Sequence, residues 1–113
     1  MFKNIHLTKD LENYLNQNIE ETSIQKELRA FSFKELGDVA NMQTTNEQAS
    51  FLNFLIKVGN YKSILELGTF VGYGTLAMAL ALGSEGKIIT VDRDVKTSAH
   101  ANIFWDKAGV KNK

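Results

Sequence analysis

Leu7, Leu11, Tyr14, Leu15 and Ile19 recur at helical spacing, as do Ile24, Leu28 and Phe31, and Glu20-Glu21-Thr22-Ser23 between the two runs supplies acids and a capping hydroxyl. The pattern predicts amphipathic helices over residues 9–17 and 23–36. Gly37 and the polar run from Asn41 to Asn46 interrupt it before Phe51, Leu52, Leu55 and Ile56 open a third stripe. Thr44 with Glu47 three residues on has capping-box spacing, so the third helix is expected to begin near Thr45 and to end at Gly59-Asn60.

The next stretch organises the rest of the chain. Ile64-Leu65-Glu66-Leu67 is an apolar run broken by one acid and is expected to be a short buried strand. Gly68, Gly72 and Gly74 follow within seven residues, and then comes the apolar segment 75–82, closed by Gly83. Strand, tight turn and helix is the reading, with glycine needed where the backbone reverses and where a ligand must approach it. Lys87-Ile88-Ile89-Thr90-Val91 forms a second strand that stops at Asp92-Arg93-Asp94. Thr97, Ala101, Phe104, Trp105 and Ala108 then lie along one face of a last helix ending at Gly109. Strands joined by a crossover helix lie parallel, so the order helix, helix, helix, strand, helix, strand, helix predicts the opening of an open, doubly wound parallel α/β sheet of Rossmann-like type. Such sheets usually carry about five or more strands, so the expectation is a sheet truncated after its second strand and following helix, the first half of a longer enzyme.

Composition narrows the partners by exclusion. The 113 residues suffice for one small domain, read as amino-terminal helices over 1–40 and a cofactor-binding core over 41–113. Thirteen basic residues balance thirteen acidic ones, so nothing draws the chain to nucleic acid or to an anionic membrane. The lack of cysteine excludes a disulfide framework and a thiolate zinc site. No apolar run at the amino terminus is long enough for a signal peptide, and none elsewhere approaches a membrane span, so a soluble cytoplasmic protein is expected. His6 and His100 are isolated and have no partner at metal or triad spacing.

In open α/β sheets the ligand lies beyond the carboxyl ends of the strands. The first strand delivers Glu66 and the glycine turn there, and the second delivers Asp92, near the offset of about 20 residues expected of a ribose-binding acid. Two cofactor classes use this layout. The dinucleotide fingerprint is G-x-G-x-x-G, whereas this chain has Gly68-x-x-x-Gly72-x-Gly74 preceded by an acid, which would repel a diphosphate and suits a ligand carrying an ammonium and a sulfonium. An NAD-linked oxidoreductase half-domain and a non-catalytic cofactor-binding or interaction module are the alternative readings.

The run from Ile64 to Ala77, the segment Gly86-Lys87-Ile88-Ile89-Thr90-Val91-Asp92, the closing Lys107-Ala108-Gly109-Val110 and the earlier Met42-Gln43-Thr44-Thr45 resemble the S-adenosylmethionine-dependent O-methyltransferases of the catechol and caffeoyl-CoA type. The resemblance implies that Met42 and Thr44 touch the cofactor from the segment before the third helix. It implies further that Glu66 and Gly68 line its methionine end, that Phe70 and Tyr73 form part of the wall, and that Gly72 and Gly74 make the turn. Asp92 would hold the ribose, with Arg93 beside the adenine. Gly74 departs from the family, which usually has serine there, and Asp94-Val95 departs where a proline often follows the acid. The implied reaction is methyl transfer to a hydroxyl of a small catechol-like or phenolic acceptor assisted by a divalent metal, with the metal ligands and general base beyond Lys113 and with a homodimer built partly by the first helices.

Overall fold

A computed structural model describes residues 6–113 of the chain. The reading of the first five residues as carrying no leader lies outside that range. Helix α1 spans Lys9–Asn18 and α2 spans Ser23–Leu36, each opened by a threonine: the Thr8 hydroxyl accepts from the Leu11 N–H, and Thr22 forms a capping box with Gln25. A 3-10 helix over Gly37–Met42, which the periodicity did not predict, leads into α3 at Asn46–Gly59. The third helix is capped one residue later than expected. Thr45 and Gln48 form the box in place of Thr44 and Glu47, and Asn60 in the left-handed region closes the helix. Thr44 is thereby left outside the cap.

Strand β1, Ser63–Leu67, pairs in parallel with β2, Lys87–Val91, in a register that sets Glu66 opposite Thr90 and Leu67 opposite Val91. Helix α4, Tyr73–Ala81, makes the crossover. It is buried from Tyr73 to Ala79, as an all-round apolar helix between a sheet and an outer layer should be. The expected single last helix is two pieces, α5 at Val95–Ser98 and α6 at Ala101–Lys107. The Ser98 hydroxyl donates to the Asp94 carbonyl, and the chain bends at Ala99-His100 while keeping the same apolar face inward.

The core joins α2, α3, α4 and α6, with Leu28, Ala49, Val71, Tyr73, Leu76 and Phe104 in one cluster, and a smaller cluster of Ile56, Met78 and Leu82 sits under Ile64 and Ile88. Strand β1, expected to be a buried strand, is covered on one face only. Ile64, Glu66, Ile88 and Thr90 turn toward the helices, while Leu65 and Leu67 remain 67% and 78% exposed and Ile89 64% exposed on the opposite face. Alternation along a strand places successive side chains on opposite faces, and among the described residues no element covers the second one.

Candidate functional site

The ends of β1 and β2 and the turn between β1 and α4 converge on one region. The Gly68 N–H donates to the Val91 carbonyl at 2.8 Å, so pairing continues one residue past β1 before the backbone turns away. Gly68 has φ +96°, and a Cβ there would meet nothing within 4 Å; the backbone is open to an incoming ligand. Gly72 has φ +82° for a different reason. Ala101 and Trp105 of α6 close over it, so that a Cβ would lie 2.5 Å from the Ala101 methyl, and the Trp105 indole N–H donates to the Gly72 carbonyl at 3.2 Å. Phe70, between them, is a non-glycine residue in the left-handed region at φ +49°.

Two acids flank this turn. Glu66 accepts from the hydroxyls of Thr75 and Thr90, the latter at 2.8 Å. Burial pushes its carboxyl above the usual value against those two donors, and the nearby charge of Asp92 adds to the rise. Asp92 is exposed. Its oxygens accept from the Asp94 N–H at 2.8 Å and the Phe70 N–H at 2.6 Å, and these backbone donors hold it below the usual carboxylate range. Helix-capping falls to Asp94, which accepts from the N–H groups of Lys96 and Thr97. Asp92 thus fixes the strained Phe70 peptide while keeping a face toward the shallow basin it shares with Leu67, Gly68, Val91 and Arg93.

On the other side of the turn a cavity of about 40 Å³ is lined by Met42, Gln43, Thr44, Glu66, Gly68 and Phe70, among others. The Thr44 hydroxyl and Glu66 Oε1 stand 2.9 and 3.0 Å from where a Cβ on Gly74 would be, so a serine at this position would require both side-chain ends to shift. Met42, 74% exposed, sits at the rim. Tyr73 opens α4 at the same cavity, but its ring turns into the core and its hydroxyl donates to Glu21 at 2.7 Å. Burial, followed by the bond to Glu21, pushes the phenol well above its usual value.

The structure therefore gathers Met42, Thr44, Glu66, Gly68, Phe70, Gly72, Gly74, Asp92 and Arg93 around one turn, together with the backbone of Tyr73. Sequence reasoning passed over Thr75 and Thr90, whose hydroxyls donate to Glu66, and Thr69 beside them. Thr69 and Thr90 lie 2.6 Å apart. Thr90 was findable, since it is two residues before Asp92 in a strand and so shares its face. Reasoning also missed Gln43 and Glu21. Glu21, read only as an acid between the first two helices, has a side chain only 4% exposed, bound through both oxygens to the Arg29 guanidinium at 3.0 and 2.7 Å. Among the described residues no group of three or more histidine or acidic side chains stands together as a metal site, and no helix is long and apolar enough to cross a membrane.

A parallel strand–turn–helix–strand with an open glycine and paired acids at the strand ends defines an open α/β fold of the nucleotide-cofactor kind. The sequence model of the O-methyltransferase family matches residues 15–113, and the chain belongs to that family. It is 44% identical over 92 residues to Probable caffeoyl-CoA O-methyltransferase 2 of Dictyostelium discoideum, covering 81% of this chain and 39% of that protein. It is 37% identical over 106 residues to Caffeoyl-CoA O-methyltransferase of Populus kitakamiensis, covering 88% and 45%. In fold it is similar to the S-adenosylhomocysteine-bound Podospora anserina methyltransferase PaMTH1, with a TM-score of 0.84 at 19% identity over 99% of this chain and 50% of that one. The chain thus spans about two fifths of the length of these curated relatives. The family match does not favour the dinucleotide reading, which the glycine spacing already opposed.

Proposed function

We propose that this chain is the cofactor-binding part of an S-adenosylmethionine-dependent O-methyltransferase whose acceptor is a hydroxyl of a small phenolic or catechol-like molecule. The observation that carries the reading is the pair of acids, Glu66 and Asp92, leaving adjacent parallel strands on either side of the open Gly68 turn. The donor set fits such a ligand. Glu66 is an acceptor that can face an ammonium, and Asp92 is an exposed carboxylate able to accept from two ribose hydroxyls. Phe70 lines the cavity with Met42 at its rim, and a sulfonium there would be drawn to an aromatic face. Thr44, Gly72, Gly74 and the Tyr73 backbone shape the methionine end, and Arg93 lies on the adenine side. The cofactor supplies an electrophilic methyl group; the chain's own residues hold and orient it and keep the amino-acid tail out of water.

A divalent cation belongs to this proposal through the family alone. A homodimer is also part of it, supported by the exposed stripe of Phe51, Phe54, Leu55 and Val58 on α3, too apolar for a solvated helix face. Calorimetric titration of the full chain with S-adenosylhomocysteine and with NADH tests the cofactor reading. Binding of the first alone, weakened in Asp92→Ala, is expected; NADH binding, or an affinity indifferent to Asp92, refutes it. Sedimentation of the same sample as a monomer would remove the dimer.

A further inference from the structure

Helix α4 starts without the device that starts the three helices at the amino-terminal side. Helices α1, α2 and α3 each open on a threonine whose hydroxyl accepts from the backbone, whereas Gly72 stands at the head of α4 and makes no side-chain cap. The place of its first turn is set by contacts made over a distance. The Trp105 indole N–H holds the Gly72 carbonyl, the Thr75 hydroxyl donates to Glu66, and the Tyr73 hydroxyl donates to Glu21 at 2.7 Å. Trp105 and Glu66 belong to the α/β unit that carries the glycine turn. Glu21 comes from outside it, from the connection between α1 and α2, 52 residues away along the chain.

Glu21 is itself clamped. Its Oε1 accepts from both Arg29 Nε and the Tyr73 hydroxyl, and its Oε2 accepts from the other arm of the guanidinium. A two-pronged guanidinium contact fixes the orientation of a carboxylate as well as satisfying its charge. Lys26 of α2 and Glu47 in the first turn of α3 are the other charged groups near the cluster. A buried ion pair adds little net stability over apolar residues of the same volume, so what it contributes here is a defined position. Among the described residues no side chain of α1, α2 or their connection lines the cavity beside Glu66 or the basin beside Asp92, but Tyr73 lines the first of them. Resting on the cofactor reading above, we propose that Glu21 is a positioning residue for the cofactor site: held by Arg29, it fixes Tyr73 and with it the first turn of α4 against the glycine turn, so that the amino-terminal helices set cofactor affinity without touching the cofactor.

Tyr73→Phe severs the link and keeps the ring in the core. In calorimetry on the full chain, at a temperature well below every unfolding midpoint, it should weaken S-adenosylhomocysteine binding by about threefold to tenfold, the usual scale of coupling through a network that does not touch the ligand. Glu21→Gln should also weaken it, and the double variant should lose less than the product of the two single losses, because both act on one link. Ile56→Val in the smaller cluster, which also costs stability, is the control and should bind as the parent does. Tyr73→Phe alone decides the matter where Glu21→Gln does not fold. Parent-like affinity in Tyr73→Phe, or an equal loss in Ile56→Val, overturns the role of Glu21 and leaves the cofactor reading standing. A parent chain that does not bind S-adenosylhomocysteine overturns both.

Discussion

Tyr73→Phe isolates one oxygen atom at the joint between the amino-terminal helices and the glycine turn. The ring is 1% exposed and packs in the main core cluster, so phenylalanine keeps the burial and the shape. What it removes is the donation from the hydroxyl to Glu21 at 2.7 Å. Hydrogen bonds to charged groups contribute about 1.5–3 kcal/mol. Glu21 retains both contacts to Arg29, so its buried carboxylate is not orphaned, and the lower figure applies. A loss of about 1.5 kcal/mol moves the unfolding midpoint of a chain this size down by about 6 °C. The pH dependence follows from Glu21. Burial raises its pKa, but Arg29 and Tyr73 together overcome that and hold it below the usual 4.5. A depressed acid contributes stability that is complete above 4.5 and is lost as pH falls through the lower folded-state value. The deficit of Tyr73→Phe should therefore be full at neutral pH and shrink in acid as the carboxylate is neutralised. Calorimetric melting of Tyr73→Phe, Glu21→Gln and the double variant, from pH 7 downward, checks this. An unchanged midpoint in Tyr73→Phe at neutral pH, or a deficit undiminished in the double variant, refutes the account.

Glu66→Gln should raise the melting midpoint of the ligand-free chain while abolishing S-adenosylhomocysteine binding. The folded-state pKa of Glu66 is raised by burial, so its ionisation costs stability above that value, and the advantage of glutamine should vanish below the unfolded value near 4.5; a variant less stable at neutral pH contradicts it. Gly72→Ala places a methyl 2.5 Å from the Ala101 side chain at φ +82° and should cost about 2 kcal/mol or more, read from urea unfolding, whereas Gly68→Ala, with open space around it, should cost less and lose ligand affinity instead.

The elements visible in the sequence were those with a long period or a rigid cap. Helix α2 runs over the predicted residues because Thr22 and Gln25 close its start and Gly37 its end. The strand–turn–helix survives because three glycines and an apolar crossover admit little else. The 3-10 helix escaped notice because six residues with i to i+3 bonding leave no repeat to read. The break between α5 and α6 escaped for the opposite reason: Thr97, Ala101, Phe104 and Trp105 keep their spacing across the bend. Glu21 lies eight residues from Arg29 and 52 from Tyr73, separations that no local pattern encodes, so its burial belongs to tertiary packing alone. The apolar run at 64–67 is legible as a strand but reads as buried, and within this chain helices cover only one of its faces.

Three local costs coincide at one turn. Phe70 occupies a left-handed conformation, Glu66 carries a carboxylate whose ionisation burial opposes, and Gln43 holds an amide that no described residue satisfies. Each alone has a cheaper alternative in the residue alphabet: glycine at 70, glutamine at 66, methionine or leucine at 43. Scattered over the molecule, they would read as ordinary imperfections. All three residues border the same 40 Å³ space between the ends of the strands and the start of α4, and a ligand carrying an ammonium would offset the second directly by stabilising the Glu66 charge. Phe70 has its partner already, since Asp92 accepts from the Phe70 N–H and so ties the strained peptide to the acid proposed to meet the ribose. Ligand affinity and ligand-free stability should thus trade against each other at position 66, a relation that a packing defect without a ligand would not produce.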